Sequence, residues 1–333
     1  MPTLLDILPS DRRDAAAAAL AQAFGGAPLT AASAVSGGVS ALTYRLEVGG
    51  RAYALRLESQ RPGQRDPSSS YACLVLAAAA GVAPPVRYAD APTGIAILDF
   101  VQPVPLEQFP GGAEALAGNL GRLIGQLQAI ADYPTFSDYR SLLRRMLTFI
   151  ACAGVFAPGL LTPHLEAFER LQAAYPWDAE PALASHNDPN LRNVLFDGRR
   201  LWLIDWETAY RNDPLVDVSI LANELGSADA ALVAAWRPAA AGQAARLMLM
   251  RQFVRLYYAC LIFVRFAFAP PATPDTDLAA PSVDEFRAMV TDGRLAMGSP
   301  ELVFTLGKMH LAAFLAYARG PLVAAALKEL GAT

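Results

Sequence analysis

The window "SHNDPNLRNVLF", Ser185 to Phe196, is followed by "LWLIDWETAY" at Leu201 to Tyr210, and together they set Asp188, Asn193 and Asp205 among apolar neighbours in a chain that is only 17% charged. Acids in such surroundings are costly unless they are paired, hydrogen-bonded or bound to a metal. Asp188 and Asn193 stand five apart, the spacing of a loop in which one side chain faces a substrate and the other a metal. Asp205 ends the apolar run "LWLI", so its carboxylate emerges from a strand at the rim of a cleft. Mg²⁺ takes one or two protein oxygens together with phosphate oxygens and water, and Asn193 and Asp205 would supply them. Asp188 then accepts the proton of an attacking hydroxyl and aims it at the γ-phosphate of ATP. Phosphoryl transfer asks mainly for positioning and charge neutralisation, so these few groups suffice. Turn chemistry explains Asp197-Gly198 but not an acid placed after "LWLI".

The elements that hold these groups can be read from hydrophobic period. "NVLF", the Asp-Gly turn and "LWLID" predict a small hairpin inside an otherwise helical region. Upstream, residues 11–24 fit an Ala-rich surface helix closed by Gly25-Gly26. "ALTYRLEV" alternates Leu42, Tyr44, Leu46 and Val48 against Thr43, Arg45 and Glu47, Gly49-Gly50 turns the chain, and "RAYALRLE" returns with Tyr53, Leu55 and Leu57 opposite Ala52, Ala54 and Arg56. A helix closed by Gly81, a strand region after Pro84-Pro85 and a buried strand at Gly94 to Val101 complete this part. From residue 112 the pattern is helical, broken by the hairpin and by a Pro-rich loop, "APPATPDTDLAAPS".

His186-Asn187-Asp188 with Asn193, then "IDWE" at Ile204 to Glu207, resembles the aminoglycoside phosphotransferase and choline kinase superfamily, and within it the choline/ethanolamine kinases; the aminoglycoside enzymes usually carry Gly in the second position of the first motif. The likeness extends over roughly residues 30 to 220. It implies an α+β, protein-kinase-like fold: a nucleotide-binding lobe with a small antiparallel sheet over residues 1–101, and a large, mainly helical catalytic and substrate-binding lobe over 102–333. It also implies ATP and Mg²⁺, with Asp188 as catalytic base and Asn193 and Asp205 as magnesium ligands. His186 would brace the loop and Asp217 cap it from below. Glu207 would lie near the metal or a cationic substrate, with Asn190 and Arg192 as further substrate contacts.

Nucleotide contacts are expected from "SGGVSALTY", where Gly37 and Gly38 let the backbone approach phosphates and Ser36 and Ser40 add hydroxyls, and from Asp99 and Val101 in the connector. The cation that holds the phosphates cannot be a lysine, because the two lysines are Lys308 and Lys328. Arg56 has the strand position for it, and arginine binds phosphate oxygens well. The family's helix after this strand normally offers a Glu to pair with the cation, but "PSSSYACLVLAAAAG" holds no acid. Either hydroxyls near that place, Ser70 or Tyr71, orient Arg56, or the active arrangement differs.

The function these features point to is an ATP- and Mg-dependent small-molecule kinase acting on a hydroxyl of an amino alcohol, aminoglycoside or sugar; a nucleotide-binding pseudokinase or regulatory module of the same fold is the competing reading. Tyr257, Tyr258, Phe263, Phe266 and Phe268 could cage a quaternary ammonium or simply be core. Asp275, Asp277, Asp284 and Glu285 could serve a cationic substrate or simply be solvated. With 54% hydrophobic residues and a net charge of −4, the 333-residue chain carries a large core and no electrostatic footprint for nucleic acid. Three scattered cysteines without CxxC spacing read as reduced thiols of a cytoplasmic protein. No signal peptide is expected in "MPTLLDILPSDRRDAAAA", and arginines interrupt the apolar run near residues 247–268, so no membrane partner is expected. The sequence sets no oligomeric state. A protein kinase is disfavoured by the absence of "DFG" and "APE" and by Pro214 arriving soon after Asp205.

Overall fold

The computed structural model describes residues 4–35, 41–58 and 67–331; the glycine turn Ser36–Ser40 lies outside them. Along the chain run α1 (Arg13–Phe24), β1 (Leu29–Val35), β2 (Ala41–Val48), β3 (Arg51–Glu58), α2 (Ser68–Ala79), β4 (Val86–Asp90), β5 (Ile95–Asp99) and α3 (Gly112–Gln128). Then come α4 (Tyr139–Cys152), α5 (Thr162–Ala174), the short strands β6 (Leu183–Ser185), β7 (Val194–Phe196), β8 (Leu201–Leu203) and β9 (Tyr210–Asn212), α6 (Leu215–Leu225) and α7 (Asp229–Trp236). The chain ends in α8 (Gln243–Ala267), α9 (Val283–Thr291), α10 (Pro300–Ala318) and α11 (Pro321–Glu329). Two compact units result, residues 1–136 with 182–238, and residues 137–181 with 239–333. The expected division at residue 101 falls inside the first unit.

In the first unit, β1 to β5 form an antiparallel sheet in the order β1-β2-β3-β5-β4. Gly49 and Gly50, with φ of 56° and 75°, make the tight turn between β2 and β3 that needs two left-handed residues. One pleat face buries Tyr44, Leu46, Val48, Tyr53, Leu55, Leu57, Ile95 and Ile97 under Leu8 and the small Ala16 and Ala19 of α1. The expected surface helix therefore has one face seated on the sheet. Leu42 has the parity of that face yet is 50% exposed, because it lies outside the patch that α1 covers. The other face carries Thr43, Ala54, Arg56, Ala96 and Leu98, in rows set by Thr43↔Arg56↔Ala96 and Ala54↔Leu98. Strand β1 was not legible: "LTAASAV" has no period-2 apolar signal and is strand only through its pairing with β2.

Below the sheet, α3 packs on α7 through small residues. At Gly121 a Cβ would come within 2.3 Å of the Leu232 carbonyl oxygen, so only glycine lets the backbones approach this closely. In the second unit α8 is central and packs on α4, α10 and α11. Among the described residues it is one of two helical segments, with Leu215–Trp236, that are long and apolar enough to cross a membrane by length and composition; here 61% of its most apolar stretch is buried in protein. Cys73 and Cys260 are buried, whereas Cys152 at the end of α4 is exposed.

Candidate active site

The predicted hairpin forms as β7 and β8, with Val194 opposite Leu203 and Phe196 opposite Leu201. Its turn is held by Asp197, whose Oδ1 accepts the N–H groups of Arg199 and Arg200 at 2.8 Å, with Gly198 at φ 89°. Beyond the last strand pair, the Ile204 N–H donates to the Asn193 carbonyl at 3.0 Å. Register thus makes Asn193 a neighbour of the residue preceding Asp205, although Asn193 and Asp205 are 12 apart in sequence. Asp205 itself is left-handed, φ 69°, one of three non-glycine residues so placed among the described residues. Such conformations are costly and persist where surrounding structure over-determines them, commonly at functional sites.

Asn187 is a second of the three, at φ 63°. It is 1% exposed and its amide is fully engaged: Nδ2 donates to the carbonyls of Thr208 and Tyr210, and Oδ1 accepts from Ser185 and from Asn212 Nδ2. Asp217, fully buried in α6, receives the His186 N–H on one oxygen at 2.9 Å and the Asn187 N–H on the other at 2.8 Å. Burial pushes its carboxyl upward, and His186 and the two N–H donors pull against that. His186 meets the Trp206 ring at a tilt of 55° with ring centres 4.5 Å apart, and its Nε2 is 2.8 Å from the Ile204 carbonyl, so that nitrogen carries the proton in this contact. The loop is therefore fastened to α6 on one side and to the approach to Asp205 on the other.

Inside the loop, Asn190 Nδ2 donates to Asp188 Oδ1 at 2.7 Å, and Asn193 Nδ2 donates to the Asp188 carbonyl at 2.9 Å and to its Oδ2 at 3.2 Å. With its nitrogen so used, Asn193 keeps its amide oxygen as the remaining acceptor. Asn190, expected among the substrate contacts, is 5% exposed and spends its other end on the Arg192 N–H, so its amide works within the loop. Arg192 is exposed, and the neighbouring Leu191 N–H is held by Glu224 at 2.8 Å.

Arg56, Asp99, Val101, Asp205 and Glu207 line one cavity of about 210 Å³ between the sheet and the hairpin end. Arg56 Nη2 makes a 2.6 Å ion pair with Asp205 Oδ1, with side chains 19% and 29% exposed. Burial opposes the guanidinium charge, but Asp205, Glu58 and Glu207 outweigh it and raise the group further. Burial likewise raises the Glu58 carboxyl, Arg56 opposing and Glu207 and Asp205 adding to the shift. The Asp99 carboxylate is bound at both oxygens by Arg87, at 2.6 and 2.7 Å. Its N–H donates to the Pro85 carbonyl. Proline has no N–H to return that bond, so a ligand would meet the main chain of Asp99 and Val101 rather than the acid.

Sequence reasoning missed Thr208, Asn212 and Glu224, which hold the loop from a single helical turn, a short strand and a helix, all too short or too far away to carry a local signal. The aromatic run of α8 is core where it is buried: Tyr257 is 5% exposed and Phe263 0%, the latter ringed by Phe156 and Phe304. Phe268 is 80% exposed. Asp275 pairs with Lys308 at 2.8 Å and Glu285 completes the capping box of α9; both acids have structural work.

The described residues contain no group of three or more His, Cys, Asp or Glu able to hold a metal by themselves. Asn193 and Asp205 nevertheless suit a cation that keeps waters and phosphate oxygens, since both present oxygen. Among curated proteins none matches the sequence. Among solved structures, a choline/ethanolamine kinase family protein from Mesorhizobium loti is 26% identical, with TM-score 0.60 over 90% of this chain and 99% of the other. A macrolide 2'-phosphotransferase from Brachybacterium faecium matches at 17% identity and TM-score 0.56, over 77% of this chain and 94% of that one. A spectinomycin phosphotransferase, solved with ADP and spectinomycin, matches at 10% and 0.55, over 86% and 94%. The family model described as "Phosphotransferase enzyme family" matches residues 31–250, and with a kinase-like fold around the loop and hairpin just described, the chain belongs to that family.

Proposed function

We propose that this phosphotransferase moves the γ-phosphate of ATP, with Mg²⁺, to a hydroxyl of an amino alcohol, aminoglycoside or sugar. One observation carries the reading: Asp188, Asn193 and the approach to Asp205 belong to a single hydrogen-bonded unit, so base and oxygen ligands are held in fixed relation. Asp188 keeps both carboxylate oxygens as acceptors for amide N–H groups and takes the proton of the attacking hydroxyl. Asn193 Oδ1 and the Asp205 carboxylate are the groups that would hold Mg²⁺, which when bound neutralises charge on the transferring phosphate. Arg56 offers the only guanidinium on the described cavity wall to the phosphates. The Asp99 carbonyl and the Val101 N–H are the base contacts. Glu207, exposed on the cavity wall, and Arg192, exposed beside the loop, are the acceptor contacts.

The test is transfer from γ-labelled Mg-ATP by the purified protein to a panel of choline, ethanolamine, amino sugars and aminoglycosides. Asp188→Asn is expected to lower turnover by about 10²- to 10⁴-fold. Undiminished transfer by that variant, or a wild-type protein that binds neither ATP nor magnesium, would overturn the assignment.

A further inference from the structure

Arg56 has a conflict of duties. Its 2.6 Å partner is Asp205, the same carboxylate that the proposed function gives to a cation. Once Asp205 is engaged, the guanidinium needs another acceptor to stay aimed at the phosphates. Helix α2, reading "SSSYACLVLAAA", has no acid to offer. Ser70, one of its two hydroxyls at this level, is committed to the Pro67 carbonyl at 2.8 Å.

With Glu207 given to the acceptor in the proposed function, two groups on the same cavity wall remain. Glu58 lies two residues beyond Arg56 on β3, on the same pleat face, and both line the cavity. Its backbone is fixed at both ends: the N–H donates to Gly94 at 2.8 Å and the carbonyl accepts from Arg12 Nη1 at 2.8 Å. Arg12 also donates to the Thr93 carbonyl at 2.6 Å, tying the end of β3 to the turn before β5. The second group is Tyr71, 6% exposed, whose hydroxyl is buried with no hydrogen-bond partner although it lines the cavity. An unpartnered buried hydroxyl costs free energy and calls for an explanation.

We propose that Glu58 is the positioning residue for Arg56, standing in for the acid that α2 lacks, and that the Tyr71 hydroxyl anchors Glu58. With nucleotide bound, Arg56 exchanges Asp205 for Glu58. Its five donors bridge that carboxylate and a phosphate oxygen, while Tyr71 donates to the second Glu58 oxygen. Glu58 and Tyr71 act through Arg56 and need not touch the nucleotide. The inference rests on the nucleotide reading above, and its test separates the two.

The probe is Mg-AMPPNP, titrated calorimetrically into the full chain. Glu58→Gln is expected to weaken binding about 10- to 100-fold, the loss of one hydrogen bond to a charged group, and Tyr71→Phe to weaken it less. Glu58→Asp should fall between Glu58→Gln and wild type. The decisive readout is a double-mutant cycle: in an Arg56→Gln background, Glu58→Gln should change nothing further. Unaltered binding by Glu58→Gln, or effects of the two substitutions that multiply, would overturn the proposal and leave the kinase reading standing. A wild-type chain that binds no Mg-nucleotide would overturn both. Thermal melts of each variant separate lost binding from lost folding.

Discussion

Asp217 shows how one buried carboxylate sets the loop that carries the proposed base. Its two oxygens receive two successive backbone N–H groups, those of His186 and Asn187, and so hold the left-handed turn at Asn187. Asp217→Asn keeps the shape but turns an NH₂ toward one of those donors, leaving it unsatisfied. The cost is expected to be on the order of 3 kcal/mol of stability, read from the denaturant midpoint. Activity should fall further than the lost folded fraction explains, since Asp188 lies one residue beyond the clamp. Wild-type stability with wild-type turnover would show that the loop holds itself. Asn190 and Asn193 set the Asp188 carboxylate by direct donation, which makes the loop a chain of amide contacts around one acid.

At the level of elements, alternation in β2 and β3 divides labour between two faces. One is core under α1; the other carries Arg56 and Glu58 into the cavity. Helix pairing in the second unit is marked by a different device. His164 of α5 is 1% exposed, meets the Leu311 carbonyl of α10 at 3.2 Å and stacks near Phe314. Burial lowers its pKa to about 4, the Leu311 contact opposing and Arg319 adding to the fall. A folded value below the unfolded one, about 6.5, means the unfolded chain binds the proton more readily. Stability is therefore full above about pH 6.5 and declines as pH falls toward 4, by about 2 kcal/mol at pH 5. Urea unfolding at pH 7 and pH 5 checks this, and His164→Gln, which can still donate to Leu311, should flatten the difference. An unchanged slope in that variant would assign the pH dependence to other groups.

On the scale of the whole molecule, the cavity is lined wholly by residues of a unit assembled from two stretches of chain, 1–136 and 182–238. Within it three acids, Asp205, Glu58 and Glu207, act on one arginine. If the proposed nucleotide binds here, that balance should disfavour it bare and favour it with a divalent cation. At 100 times its dissociation constant, Mg-ATP should raise the unfolding free energy by about 2.7 kcal/mol; ATP with EDTA should raise it far less. Equal stabilisation without the metal would contradict the charge argument.

The sequence by itself determined much of the scaffold that carries the proposed site. The hairpin with its Asp-Gly turn, the two-faced strands and the aligned spacing of Asp188, Asn193 and Asp205 are local patterns, and local patterns follow from strand period and turn geometry. What it could not reach are contacts without period or proximity. The Arg56–Asp205 pair spans 149 residues. The amide of Asn190 is held within the loop by Asp188 and the Arg192 N–H, and β1 exists only because β2 lies beside it. Other residues that fasten the loop, Thr208, Asn212 and Glu224, come from separate elements. Side-chain direction in a loop, and the choice of partner for a half-buried charge, are settled by which groups the fold brings within hydrogen-bond reach in a site that excludes most water. Only the tertiary structure makes that choice.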